Sequence, residues 1–344
     1  LRVHGLLLLD KPVGLSSNAA LQRARRLFDA DKAGHGGTLD PLASGLLPVL
    51  FGEACKLAAA ALDGDKGYRA RIRLGERTTT DDAEGEVVER RRPDAVLADR
   101  AVIEAALARF RGPIAQVPPA FSALKRDGRP LYLSARAGAV VAIAARPVII
   151  DRLVLERIEG ADLVVEVACS KGTYVRALAR DLGVALGCGA HLAGLVRTAV
   201  GRFTLAGAST LAALEALEPP ARTARLIGLE QLVADWPRAT ITTTAASRFR
   251  QGAAVPAVAV SADRNPGQPL AVFADGRLIG LGRLAELPAD IAAEAPDGVS
   301  GCTPVPRGDR PGGLAADGRG GAPGARPDAA ADARPLLAPT RVLV

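Results

Sequence analysis

The segment Gly34-His35-Gly36-Gly37-Thr38-Leu39-Asp40-Pro41-Leu42-Ala43-Ser44-Gly45-Leu46-Leu47-Pro48 constrains this chain most, because it sets one carboxylate, Asp40, inside a loop. Glycines at 34, 36 and 37 allow backbone angles closed to other residues, and Pro41 biases Asp40 away from helical geometry, so the carboxylate sits on a stiff, tightly turned segment. Such a loop can present a nucleophile. It can also hold an Asp that caps the short turn Pro41 to Gly45, with Pro at the first helical position. From these residues alone both readings stand.

At 344 residues the chain is long enough for about two domains. Its formal net charge of +7 points to polyanionic partners such as nucleic acid or anionic membranes. Cys55, Cys169, Cys188 and Cys302 are far apart and form no C-x-x-C pair, which argues against a disulfide scaffold or zinc ribbon. Cys188 and His191 make a C-x-x-H without two further ligands, so a structural reading is expected there. The apolar run Leu6 to Leu9 is short for a signal peptide, and no stretch approaches the roughly 20 residues needed to span a bilayer. The expectation is a cytoplasmic protein. Asp82 to Gly85 spells D-x-x-G, but a P-loop lysine motif is missing and a GTPase reading is set aside.

Ser16 or Ser17 can cap a helix to about Ala30, with Leu21, Ala24, Leu27 and Phe28 inward and Arg23, Arg25 and Arg26 elsewhere as a basic face. Glu53 to Leu62 reads as helix. Gly67 to Gly75 alternates strictly, Tyr68, Ala70, Ile72 and Leu74 against Arg69, Arg71 and Arg73, and so reads as a half-buried strand. Leu163 to Cys169 is another strand, followed by a turn at Ser170 to Thr173 and a helix with Val175, Leu178 and Leu182 inward and Arg180 outward. Helices and strands do not alternate in a repeating order, so the expected class is α+β around a mixed, largely antiparallel sheet. A boundary is expected near Asp235-Trp236-Pro237, followed by short strands with Asp275-Gly276 as a hairpin turn. From about 288 to 335 the composition is Ala, Gly, Pro, Asp and Arg with almost no large apolar residue, which predicts disorder before strand character returns at Leu336.

The Asp40 segment, continued through Phe51-Gly52-Glu53-Ala54-Cys55-Lys56, resembles the catalytic motif of the TruB-type tRNA pseudouridine synthases, GHTGTLDPLATGVLP followed by GEATK. It departs at Gly36, where Thr is usual, and conservatively at Ser44 and Leu46. Further blocks in the same order are Leu7 to Ser17, Lys66-Gly67-Tyr68 to Leu74-Gly75, Thr78 to Asp81, Pro118 to Lys125 with Tyr132 and Arg136, Ser170 to Arg176, and Gly187 to Leu192 with Leu195. The resemblance implies a pseudouridine synthase fold over residues 1–235, with a thumb-like insert at about 118–146. It also implies a PUA-like RNA-binding domain over 240–344, interrupted by the low-complexity insert.

The activity so implied is isomerisation of uridine 55 in the T loop of tRNA. The C1′ to N1 bond breaks, the uracil rotates, and its C5 joins C1′, a sequence that demands no metal, redox step or cofactor. One ionised carboxylate can start it, as in covalent glycoside chemistry. The resemblance assigns that role to Asp40, by attack at C1′ or by proton removal from C2′. It assigns the partner guanidinium to Arg176, which is otherwise an ordinary helix arginine. Tyr68 would stack on the uracil and help remove the C5 proton, or simply pack in the core.

Tyr174 and Leu195 would line the pocket. His35 would contact the disrupted T loop after base flipping, or bond to loop backbone. Lys11, the Arg23 to Arg26 face, and Phe121, Lys125, Arg126, Arg129, Tyr132 and Arg136 would meet phosphates. The implied partner is tRNA, met at its T loop and acceptor arm by a monomer. Two other classes stay open: a non-catalytic tRNA-binding or folding protein, and a nucleoside or glycoside hydrolase using Asp40.

Overall fold

The computed structural model describes residues 3–97, 99–121, 125–126, 129–130, 143–262, 268–284 and 335–343. Most of the thumb-like insert, including Tyr132 and Arg136, and the low-complexity stretch up to residue 334 lie outside the described residues. Contacts divide the chain into two compact units, Leu1–Ala234 and Asp235–Val344.

In the first unit, β1 (Gly5–Lys11), β2 (Ala33–His35), β3 (Ala43–Phe51) and β4 (Lys66–Leu74) come before the short pair β5 (Glu76–Thr78) and β6 (Val87–Arg90). Then follow β7 (Gly112–Gln116), the two-residue pair β8 (Lys125–Arg126) and β9 (Arg129–Pro130), β10 (Arg146–Glu159) and β11 (Asp162–Cys169). The last strands are β12 (Ala190–Val200), β13 (Phe203–Thr204) and β14 (Ser209–Thr210). Among the described residues, ten strands form one sheet whose main path runs β14-β1-β3-β12-β4-β11-β10-β7. Pairing is antiparallel except between β1 and β14 and between β3 and β12, so the sheet is mixed and the fold α+β, as the lack of βα alternation predicts.

The continuous apolar run Leu6 to Leu9 is buried throughout, the pattern of a strand covered on both faces. On β4 the expected alternation appears, with Tyr68, Ala70, Ile72 and Leu74 buried. They pack with β10, β11 and the helices Arg100–Ala108 and Val175–Ala185 in one core. A second core joins β1 and β3 to α1 (Ser17–Leu27), where Leu21, Ala24 and Phe28 are buried. Leu195 packs against both. Ser16 is the N-cap of α1, accepting from Ala19 N at 3.1 Å.

In the second unit the strands are β15 (Arg238–Thr240), β16 (Val255–Pro256), β17 (Ala259–Val260), β18 (Leu270–Ala274), β19 (Arg277–Leu284) and β20 (Leu336–Val342). They form a sheet ordered β16-β20-β19-β18-β15-β17 over a core centred on Phe249 of the helix Thr243–Arg250. Asp275 and Gly276 take φ of 48° and 75° between β18 and β19, the positive-φ hairpin turn expected there. Residue 336 opens a strand that pairs antiparallel with β19.

Candidate active site

Asp40 lies in the connection from β2 to β3, and its neighbours on both sides are tied down. Ser17, 2% exposed, accepts from Leu39 N at 2.7 Å and donates to Leu39 O at 2.9 Å. Gly14 N donates to Pro41 O at 2.8 Å. A single turn closes behind Asp40, with Ala43 N donating to Asp40 O at 3.0 Å, and the chain then enters β3 directly. The helix-capping reading therefore gives way: the Asp40 side chain faces a cation instead. At Gly36, where the resemblance leads one to expect Thr, an added Cβ would lie 2.1 Å from Leu62 Cδ1, so Leu62 fills the space a larger residue would take.

That cation is Arg176, in the first turn of the helix Val175–Ala185 and 8% exposed. Its Nη2 lies 3.2 Å from Asp40 Oδ2 and donates to Phe121 O at 2.9 Å. Its Nη1 lies 3.2 Å from Asp82 Oδ2. Asp82 is 2% exposed, and its Oδ1 accepts from Thr80 Oγ1 at 2.5 Å and Glu84 N at 3.0 Å. The guanidinium is thus held from behind by a buried carboxylate and turns toward Asp40 the Nη2 that also binds Phe121 O. In the sequence Asp82 stands out only through the D-x-x-G fragment and the acidic pair Asp81-Asp82. One helical turn on, Arg180 Nη1 reaches Asp81 Oδ2 at 3.0 Å and its Nη2 reaches Val117 O at 2.9 Å. Arg180 is therefore a second clamp on the same loop rather than an outward residue.

Burial pushes the Asp40 carboxyl above its ordinary range; Arg176 pulls it down, Asp82 pushes it up again and Lys11 pulls it down. The direction of the whole is upward.

A cross-strand row runs beneath the loop. Lys11 of β1 is paired with Gly45 of β3, Gly45 with Arg197 of β12, and Arg197 with Tyr68 of β4. Gly45 has φ +97, and a Cβ there would lie 2.4 Å from Arg197 O, so only glycine lets the two strands close at this point. Arg197, 2% exposed, donates from Nε to Leu46 O at 2.8 Å and from Nη2 to Gly37 O at 3.1 Å. Its guanidinium acts on the phenol of Tyr68, its register partner across β12 and β4. Tyr68 is 9% exposed; burial raises its phenol and Arg197 counters, with a net upward direction. Nothing local in the sequence singles out Arg197 beyond its place two residues after Leu195.

The other expected site residues fall as follows. Lys11 is fully buried and spends Nζ on Leu15 O at 2.6 Å and Pro12 O at 2.9 Å. It braces the turn that holds Pro41, and a phosphate contact does not fit this placement. His35, half-buried at the end of β2, has a buried Nδ1 with no hydrogen-bond partner among the described residues. Burial and then Arg197 favour its neutral imidazole. Tyr174 is the residue before the Arg176 helix, half-buried, with its backbone N and O both bound by the Gln116 amide at 2.8 and 3.1 Å. Leu195 is half-buried beside Ala43 and Ala70. His191 Nδ1 lies 3.1 Å from Glu76 O, which accounts for the histidine of the C-x-x-H. Of the basic α1 face, Arg23 pairs with Glu215 at 2.8 Å and Arg25 binds the carbonyls of Ala30 and Asp31, leaving Arg26 in a surface cleft with Arg23 and Arg222.

Residues 25–175 match the TruB family pseudouridylate synthase (N terminal domain), and residues 176–233 match the tRNA pseudouridylate synthase B C-terminal domain. A tRNA pseudouridine synthase B of Burkholderia lata is 53% identical over 82% of this chain and 87% of its own. That of Cupriavidus metallidurans is 51% identical over 83% of this chain and 91% of its own. Among solved structures, a Cbf5-Nop10-Gar1 complex matches with a TM-score of 0.62 at 29% identity, covering 82% of this chain and 78% of the other. An H/ACA RNP bound to a substrate RNA containing 2'-deoxyuridine matches with a TM-score of 0.59 at 27% identity, over 84% of this chain and 80% of the other. Two family matches that together span most of the chain, with curated relatives about half identical to it, lead to one conclusion: this chain belongs to the TruB family of tRNA pseudouridine synthases and is an isomerase.

Proposed function

We propose that this chain converts uridine 55 in the T loop of tRNA to pseudouridine, with Asp40 starting the reaction at the sugar. The observation that carries this reading is the Asp40 carboxylate set against Arg176, with Tyr68 near enough to feel the Asp40 charge. Glycosidic cleavage needs an ionised carboxylate at C1′ or C2′. Arg176 opposes the burial that would otherwise protonate it, and Asp82 fixes the guanidinium in place while its own charge partly offsets that help.

Tyr68 supplies a stacking surface and a hydroxyl for the C5 proton; Tyr174 and Leu195 shape the pocket. A uridine in a folded loop must leave its stack before Asp40 can reach its sugar, and His35, whose Nδ1 has no hydrogen-bond partner among the described residues, is a group that the disturbed loop can satisfy. Phosphates are met by the exposed arginines of α1 and by the segment around Lys125. The unit Asp235–Val344 acts as a PUA-type module on the acceptor arm.

The test is to incubate unmodified tRNA with the protein and map pseudouridine by nucleotide. Pseudouridine at position 55 with no free uracil is the expected outcome. Release of uracil from small nucleosides would instead identify a hydrolase, and binding without conversion would identify a tRNA-folding protein.

A further inference from the structure

Arg197 is a fully buried cation, and among the described residues no carboxylate pairs with it. A buried charge without an opposite charge is costly, and retaining one calls for a partner that becomes negative at some stage. Its donors divide between the catalytic loop and the phenol. Leu46 O and Gly37 O flank Asp40 on either side, and Tyr68 stands opposite Arg197 in the register of β12 and β4. Lys11, two strands away on the same row, is committed to the carbonyls of Pro12 and Leu15 and does not serve the phenol. Ionisable groups that weigh on Tyr68 besides Arg197 are Cys169 and Asp40, and both oppose a phenolate.

We infer that Arg197 is a positioning residue for proton transfer at the uracil: it holds the Tyr68 hydroxyl and both flanks of the Asp40 loop as one buried unit and offsets the charge of a transient Tyr68 phenolate. The inference rests on the reading of Tyr68 as the acid–base group. The isomerisation takes a proton from C5 and leaves one on N1. When the Tyr68 hydroxyl protonates N1 of the detached uracil, the N1 lone pair forms the new N–H bond and the O–H electrons stay on the phenolate. After C5 has joined C1′, the C5–H bond breaks; its electron pair restores the C5 to C6 double bond and its proton returns to the phenolate. The tyrosine ends unchanged, and among the described residues Arg197 is the cation that acts on its phenol through the interval between the two transfers.

The test combines Arg197→Gln and Arg197→Lys with Tyr68→Phe, measuring single-turnover conversion at saturating tRNA. Arg197→Gln should slow conversion by about 10²-fold, within the range of one acid–base group, while tRNA affinity stays within about threefold. In the Tyr68→Phe background the same change should cost under about threefold, because the two act through one oxygen. Arg197→Lys keeps the charge without the fork, should fall between, and serves if the Gln variant does not fold.

A readout independent of turnover comes from Tyr132→Phe with Tyr174→Phe, which leaves Tyr68 as the one tyrosine of three. Its ultraviolet phenolate titration should move up by about one pH unit or more on Arg197→Gln. Equal losses in both backgrounds, or an unmoved midpoint, would overturn the role of Arg197 while leaving that of Tyr68 intact. Full activity of Tyr68→Phe would overturn the acid–base reading of Tyr68, and with it the inference.

Discussion

Two sets of arginine ion pairs in the first unit show how differently one interaction type behaves with depth. On the outer face of β4, Arg69 pairs with Glu156 at 3.0 Å, with side chains 56% and 23% exposed. In the site, Arg176 pairs with Asp82 at 3.2 Å, with side chains 9% and 3% exposed. The distances are alike and the surroundings are not. Water and salt screen the first, so its loss is cheap; the second is shielded, so removing one partner strands a buried charge. The outer arginines keep the sheet face soluble, whereas the inner one spends its buried interactions on holding an orientation toward Asp40.

The largest expected effect is at the group that meets the substrate. Asp40→Asn keeps the shape and loses the charge, and single-turnover conversion should fall by about 10⁴-fold or more with tRNA affinity retained. Because burial disfavours the carboxylate, the variant should melt at the same or a higher temperature at neutral pH, and turnover within tenfold of the parent would remove Asp40 from its role.

Next comes the buried pair. Arg176→Met should cost about 3–5 kcal/mol in denaturant unfolding by leaving Asp82 unpaired, and Arg176→Met with Asp82→Leu should recover much of that stability while remaining inactive. Recovery of activity in the double variant would break the distinction between holding the fold and orienting the site.

A smaller effect concerns pH. The Asp40 carboxyl lies above its ordinary range, so conversion should be full at neutral pH and fall on acidification at a pH above the usual aspartate value of about 3.9. Asp82 contributes to that upward direction, so Asp82→Asn should move the acid limb of kcat/KM to lower pH while reducing kcat. A limb that does not move would show that Asp82 is not felt at Asp40.

The smallest effect is on the outer face. A double-mutant cycle on Arg69 and Glu156 should give a coupling of about 1 kcal/mol or less, diminished at high salt, with conversion unchanged. A coupling as large as that of the buried pair would erase the contrast between the two faces.

Local rules carried the sequence reading a long way where the determinants are neighbours along the chain. The alternation of Tyr68 to Leu74, the cap at Ser16 and the Asp275-Gly276 turn each depend on spacing within a few residues, and each appears as expected. Arg180 shows the limit of the same rules: helical periodicity places it outside, yet the loop carrying Asp81 folds over that face and covers it. Lys11 shows it again, since a lysine read as an RNA contact lies wholly inside, bracing a turn.

What the amino-acid sequence determines by itself is the Asp40 loop, the strand bearing Tyr68 and the helix bearing Arg176, because glycine, proline and apolar periodicity act within a few residues. Tertiary structure alone decides that Asp82, 94 residues before Arg176, holds it from behind. It also decides that Arg197, 151 residues after Leu46, ties the loop to the phenol. Such contacts depend on strand register and on how loops cross the sheet. A buried aspartate or arginine takes its meaning from the charges that burial leaves beside it, and these lie far off in the chain.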